Sequence, residues 1–255
     1  DGSVLLPTDA GPLRVALLDG GARLRFGAAA RDYGILLRAP AALPTRAESV
    51  DGGTRLIAAD RVLEIGHVPL SFSLSIAGRV VQSSPSDGHF VRRYRLPPFA
   101  RLVDGWFVSL ELGHETPVYG LGEKWGRLDK RGQLVRSFNH DALGVNAEVS
   151  YKNAPFAWSP EGWGLFVHTV APVVHGVGYA PWSQRAYGLK IDDPALDLCL
   201  FDGADGTQIL GQYTALTGRA PMPPLWSLGL ILSKAYYRTA EEILEEHRFL
   251  SELDA

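Results

Sequence analysis

RVLEIGHVPLSFSLSIAGRVVQSS, residues 61–84, alternates apolar and polar side chains. Leu70, Phe72, Leu74 and Ile76 point one way, and Ser71, Ser73 and Ser75 point the other, as in a strand with one face on a core and one toward water. Ala77-Gly78-Arg79 then turns the chain into VVQSS. Similar short strands, broken by Asp-Gly and Gly-Gly pairs that tolerate positive φ, can be read in LRVALLDGGARLRFGA, GWFVSLELG, WGLFVHTV and ALDLCLFDG. Many such strands up to about Tyr213 predict a sandwich or barrel.

The pattern changes near TGRAPMPPLWSLGLILSKAYYRTAEEILEEHRFLSELDA. Pro221, Pro223 and Pro224 form a stiff linker, because proline cannot continue a ladder. Leu225–Leu232 is almost uninterruptedly apolar, which predicts a strand buried on both faces. A helix is predicted from Thr239 to about Asp254, with Thr239 as N-cap, Glu242 as capping-box partner, and Ile243, Leu244, Leu250 and Leu253 at helical spacing. A strand followed by a helix is the opening unit of a wound α/β domain. A (β/α)8 barrel needs eight such units, and only one can be drawn here.

Composition narrows the function. The chain has 255 residues, 46% hydrophobic and 21% charged, with a formal net charge of −3. This is the balance of a globular protein. No apolar run approaches the ~18 residues of a membrane helix. The absence of basic clusters argues against nucleic acid, so neutral or weakly polar ligands fit better. The first residues show no signal peptide, which places the expected location in the cytoplasm. Cys199, the single cysteine, sits among apolar residues and reads as a buried strand thiol. The histidines lack metal-ligand spacing, so neither a metal nor a cofactor is expected.

From Val118 onward, four blocks resemble glycoside hydrolase family 31, which includes α-glucosidases and α-xylosidases. VYGLGEKWGRLDKRGQ is similar to the family's Tyr-Gly-Leu-Gly-Glu segment. SFNHD is similar to its Asn-x-Asp loop, SYKNAPFAWSPEGWGLFVH to its Tyr-Lys-Asn-x-Pro-Phe strand and hairpin, and ILGQYTALTGRAPMPPLWSLGLILSKAYY to its linker and first barrel strand. The resemblance implies a mainly β fold: a galactose-mutarotase-like β-sandwich over residues 1–218, then a linker with the first βα unit of a (β/α)8 barrel over 219–255.

It also implies a retaining mechanism with two aspartates on later barrel strands, neither of which lies in this sequence. No catalytic residue is therefore assigned. The implied partners are an oligosaccharide or glycoside substrate and the remainder of the barrel or a second copy of the chain. YKNAPF is closer to α-xylosidase-type members, whereas Ile231 stands where many relatives carry an aromatic.

Asn139 and Asp141 match the Asn-x-Asp of a loop that in relatives helps bind substrate. Amide and carboxylate groups suit sugar hydroxyls because they direct hydrogen bonds; the plainer alternative is that both cap turns. Tyr237, just after the expected first barrel strand, is a further binding candidate, with packing on the helix as its alternative. Gly120 and Gly122 suggest a phosphate loop, but Trp125 takes the third glycine position, so a bulge or tight turn is expected instead. Glu123 is expected to bond structurally beside Lys124 or Arg127. Trp158, Trp163 and Trp182 are expected in the core and Trp125 outside it.

Two rival readings remain at this point. A stand-alone carbohydrate-binding or structural sandwich has no use for the apolar tail. A mutarotase-like sugar epimerase would need a His and Glu acid/base pair, and His168 and His175 have no assignable carboxylate partner.

Overall fold

The computed structural model describes residues 2–27, 33–85, 96–142, 149–231 and 234–252. In chain order the strands are β1 Val4–Leu6, β2 Leu13–Leu18, β3 Gly21–Phe26, β4 Arg46–Val50, β5 Gly53–Ala58 and β6 Arg61–His67. They continue with β7 Leu70–Ile76, β8 Arg79–Ser83, β9 Phe99–Arg101, β10 Trp106–Glu111, β11 Tyr119–Gly122 and β12 Leu134–Ser137. β13 Asn153–Ser159, β14 Trp163–Val167, β15 Val173–Val177, β16 Ala186–Ile191 and β17 Leu196–Asp202 complete the set among the described residues. Two α-helices follow, α1 Gly206–Thr217 and α2 Ala240–Glu252.

The strands form three antiparallel sheets. One has seven strands in the order β1-β2-β3-β17-β14-β13-β11, one has five in the order β12-β15-β16-β10-β9, and the third is the meander β4-β5-β6-β7-β8. The alternation of residues 70–76 is realised in β7, where Leu70, Phe72 and Leu74 are buried and the serines between them are half-buried. Inward residues of all three sheets, including Leu24, Leu63, Leu74, Trp106, Leu165 and Leu189, build one apolar core. Such a core, buried between facing sheets, defines a β-sandwich.

The outer face of the seven-stranded sheet carries a second cluster of Phe156, Phe166, Cys199, Phe201 and Ile209, with Tyr213 and Leu216 packed against it. Ile209, Tyr213 and Leu216 lie on α1 at helical spacing, so the helix covers the sheet with one apolar stripe. Asp205 caps α1 by accepting from the Gln208 amide at 2.9 Å, and Gly218 ends it. The alternation pattern alone predicts no helix there. Cys199 is fully buried, as expected, and burial pushes its thiol up to about 12.

The chain divides into two compact units, residues 1–218 and 219–255. Within the second unit, the strand expected over Leu225–Leu232 is not found. Leu225–Leu228 instead forms a 3-10 turn, and Leu225, Trp226, Leu228, Leu230 and Ile231 are exposed. A strand buried on both faces needs a neighbour at each edge, and residues 219–255 hold no other described strand. Its backbone amides therefore turn to local acceptors: Ser227 N donates to Pro224 O at 3.0 Å and Gly229 N to Trp226 O at 3.3 Å.

The helix α2 begins as expected. Thr239 Oγ1 accepts from the Glu242 amide at 3.3 Å, whereas the Glu242 carboxylate reaches one residue further back, to the Arg238 amide at 3.1 Å. Ile243 and Leu244 are exposed and Leu250 is half-buried. Leu232, Leu253 and Asp254 lie outside the described residues.

Candidate functional site

The segment between β12 and β13 carries the chain from the end strand of one sheet to the next-to-edge strand of another. Its base is built by β11. The β11–β13 ladder shifts register between Gly120 and Gly122, where Gly120, Leu121 and Gly122 all have positive φ. A Cβ on Gly122 would stand 2.3 Å from Lys152 O and 2.9 Å from Asn153 Cα. Glycine there lets β11 approach the start of β13, which is the bulge expected from the sequence.

On this base the loop is tied by side chains. Asn139 Oδ1 accepts from the Asn153 amide at 2.7 Å, and His140 N donates to Ser150 O at 3.1 Å. Asn153 Nδ2 donates to Phe138 O and Ser150 O, both at 2.9 Å, while Lys124 Nζ donates to Asn153 Oδ1 and to Arg136 O. Asp141 Oδ1 accepts from the Tyr151 hydroxyl at 2.8 Å, and that bond raises the Tyr151 pKa. Asn139 and Asp141 are both exposed. Two hydrogen-bonding side chains thus stand on a braced loop facing water.

Neighbouring residues fall into structural roles. Glu123 joins through its backbone, donating to Lys152 O at 2.7 Å and accepting from Ser150 Oγ at 2.6 Å. Asp129 holds a turn by accepting from the amides of Val118 at 3.1 Å and Arg131 at 2.9 Å. Of the four tryptophans weighed from the sequence, Trp163 is buried, Trp158 and Trp182 are half-buried, and Trp125 is 53% exposed. Trp125 follows Lys124, so an aromatic face lies one residue from the brace. Tyr237 belongs to the second unit, where Lys234 Nζ sits 4.7 Å from its ring centroid. Packing against that cation is its observed contact.

His168 and His175 are both buried. His168 Nδ1 lies 2.9 Å from Asp197 Oδ2, so a carboxylate partner exists, but both side chains are at least nine-tenths buried and Arg23 holds the same carboxylate. His175 pairs with the Tyr187 hydroxyl at 2.9 Å, and burial, with Lys124 adding to it, pushes its pKa down to about 3. A shallow cavity of about 240 Å³ beside β8 is lined by Arg79, Gln82, Glu111, Glu161 and Trp163 among others, and by no histidine. An acid/base pair must reach its substrate, and neither histidine does. Among the described residues no cluster of metal-ligating side chains occurs.

The three antiparallel sheets around one apolar core define a β-sandwich class of protein. Residues 13–174 match the glycosyl hydrolase 31 N-terminal galactose mutarotase-like domain, and the chain belongs to that family. It is 33% identical over 183 residues to the α-xylosidase XylQ of Lactiplantibacillus pentosus, covering 69% of this chain and 24% of that protein. It is 33% identical over 133 residues to α-glucosidase 2 of Bacillus thermoamyloliquefaciens, covering 50% of this chain and 16% of that one. The chain therefore spans a quarter or less of these relatives. A family 31 α-xylosidase from a soil metagenome, solved with xylose, shares the fold at a TM-score of 0.75 and 17% identity, over 99% of this chain and 39% of that structure.

Proposed function

We propose that this chain is the N-terminal part of a retaining α-glycosidase that releases terminal α-linked xylose or glucose from oligosaccharides. Its 138–141 loop helps bind the sugar beyond the scissile bond. The observation that carries this reading is the pair of exposed side chains, Asn139 and Asp141, on a loop anchored to β13. Asp141 offers a carboxylate to sugar hydroxyls. Asn139 commits its Oδ1 to Asn153 and offers its Nδ2. Tyr237 is a secondary contact in the same proposal. Likeness to proteins named α-xylosidase supports xylose, and likeness to those named α-glucosidase keeps glucose within the reading.

Retaining chemistry needs two carboxyl groups roughly 5 Å apart, supplied by barrel strands beyond these residues. The exposed apolar side chains of 225–231 then pack on that barrel or on a second copy. The test is to join this chain to the barrel encoded after it and follow hydrolysis of an aryl α-xyloside and an aryl α-glucoside by NMR. The α-anomer forming first supports the reading, and the β-anomer overturns the retaining step. The 255-residue chain alone should show no turnover; genuine turnover would direct attention to Glu123, Asp129 and Asp141.

A further inference from the structure

We propose that Asn153 is the positioning residue of the Asn139–Asp141 loop, fixing where the Asp141 carboxylate stands; the inference rests on the sugar-binding reading of that loop. Asn153 is the first residue of β13. The strand behind it is paired on both sides, to β11 and to β14, so its backbone is a fixed platform. From this platform one residue reaches three separate segments. Its amide N–H holds Asn139 Oδ1 at 2.7 Å, its Nδ2 holds Phe138 O at 2.9 Å and Ser150 at O and Oγ, and its Oδ1 takes the ammonium of Lys124.

The chemistry allows few substitutes. A lysine ammonium only donates, so the side-chain oxygen must face Lys124 and the NH2 must face the two carbonyls. Aspartate would keep the bond to Lys124 but press a carboxylate against the carbonyl oxygens of Phe138 and Ser150. Glutamine would carry the amide one methylene too far. Gly122 completes the arrangement, because any Cβ there would crowd Asn153 Cα. Asp141 itself has a hydrogen bond only two residues before Asn153, from Tyr151. Its location therefore follows from where Asn153 pins both ends of the loop. A side chain that offers hydrogen bonds to a ligand gains directionality when the residues behind it are locked.

Two measurements test this. Hydrogen exchange on the chain with Asn153→Asp should show the His140 amide exchanging at least about tenfold faster, as expected when two hydrogen bonds of about 1 kcal/mol each are lost. The Leu165 amide in β14 should stay protected. Unchanged His140 exchange overturns the inference. Lys124→Met, which removes the partner of Asn153 Oδ1 along with the bond to Arg136 O, gives the same readout at smaller amplitude should Asn153→Asp fail to fold.

In the enzyme that carries the barrel, Asn153→Asp should lower kcat/KM for an α-xylosyl disaccharide about tenfold. An aryl α-xyloside should change little, and adding Asp141→Ala should cost nothing further, because the two residues act as one unit. Equal losses on both substrates with a lower Tm would make Asn153 merely structural and overturn the proposal. Faster His140 exchange with an Asp141→Ala enzyme unchanged on the disaccharide would uphold the positioning and sink the sugar reading of the loop.

Discussion

Arg23 and Asp197 meet diagonally across the β3–β17 ladder in a bidentate pair, Nε to Oδ1 at 2.7 Å and Nη2 to Oδ2 at 2.5 Å, on the outer face of the seven-stranded sheet. His168 adds a third bond to the same carboxylate at 2.9 Å. Burial alone pushes the Asp197 pKa up, but the bonds from Arg23 and His168 outweigh it and hold the pKa below the usual carboxylate value. Asp197→Ala should lower unfolding stability by about 3–5 kcal/mol, because it strands a buried guanidinium. Denaturant unfolding measures this, and a loss under 1 kcal/mol would mean the pair is dispensable.

The Gly122 position should reject any side chain. Gly122→Ala combines positive φ with a Cβ 2.3 Å from Lys152 O and 2.6 Å from Ala154 N. The left-handed conformation alone costs about 1–2 kcal/mol, and the contacts are with backbone that cannot move aside. Gly126→Ala has positive φ too, yet its nearest contact is a Gln133 side-chain atom at 3.7 Å. Thermal melts should therefore rank Gly122→Ala well below Gly126→Ala; equal Tm values would contradict the bulge geometry.

His175 should make the fold acid-sensitive. Its native pKa is depressed to about 3 by burial and then by Lys124, so the unfolded chain binds a proton that the folded chain does not between about pH 6.5 and 3. Stability from this group is complete above about pH 6.5 and falls as pH drops, by at most about 1.4 kcal/mol per pH unit. His175→Leu should remove one proton from that slope, whatever its effect on Tm. An unchanged slope would place the acid sensitivity elsewhere.

Asp141→Ala, in the enzyme with its barrel, should reduce kcat/KM on a disaccharide roughly ten- to a hundredfold, from hydrogen bonds to a charged group of about 1.5–3 kcal/mol. An aryl glycoside offers no hydroxyls at that position and should change much less. Equal losses on both, with a lower Tm, would return Asp141 to a turn-holding role through Tyr151.

The exposed apolar residues of the second unit should drive association. Leu225 is 85% exposed and Trp226 82%, and contiguous apolar surface of this kind favours self-contact. Light scattering should show residues 1–255 associating at concentrations where residues 1–218 remain monomeric. A monomer in both cases would show that the tail needs no cover.

The period-two alternation of residues such as Leu70, Phe72 and Leu74 determined strands with one buried face, since side-chain period is local, and left sandwich and barrel both open; the family resemblance pointed to the sandwich. Gly120 and Gly122 likewise announced a bulge, because only glycine accepts such φ values readily. Local patterning misled at Leu225–Leu232: a continuous apolar run states a need for burial, but whether it becomes a strand depends on neighbours that lie elsewhere. The cap and stripe of α1, Asp205, Ile209, Tyr213, Leu216 and Gly218, stand in the sequence, but a short amphipathic segment inside a run of strands and turns carries no local signal that a sheet face awaits it.

What the sequence by itself determined was the mainly β fold and the bulge at Gly120 and Gly122. Only the tertiary structure decided that Asn153 braces the loop of residues 138–141 and that His168 and Asp197 are buried together with Arg23. Those partners are separated by 14 to 174 residues, and hydrogen-bond pairing over such distances is set by sheet register and packing, which no local period encodes.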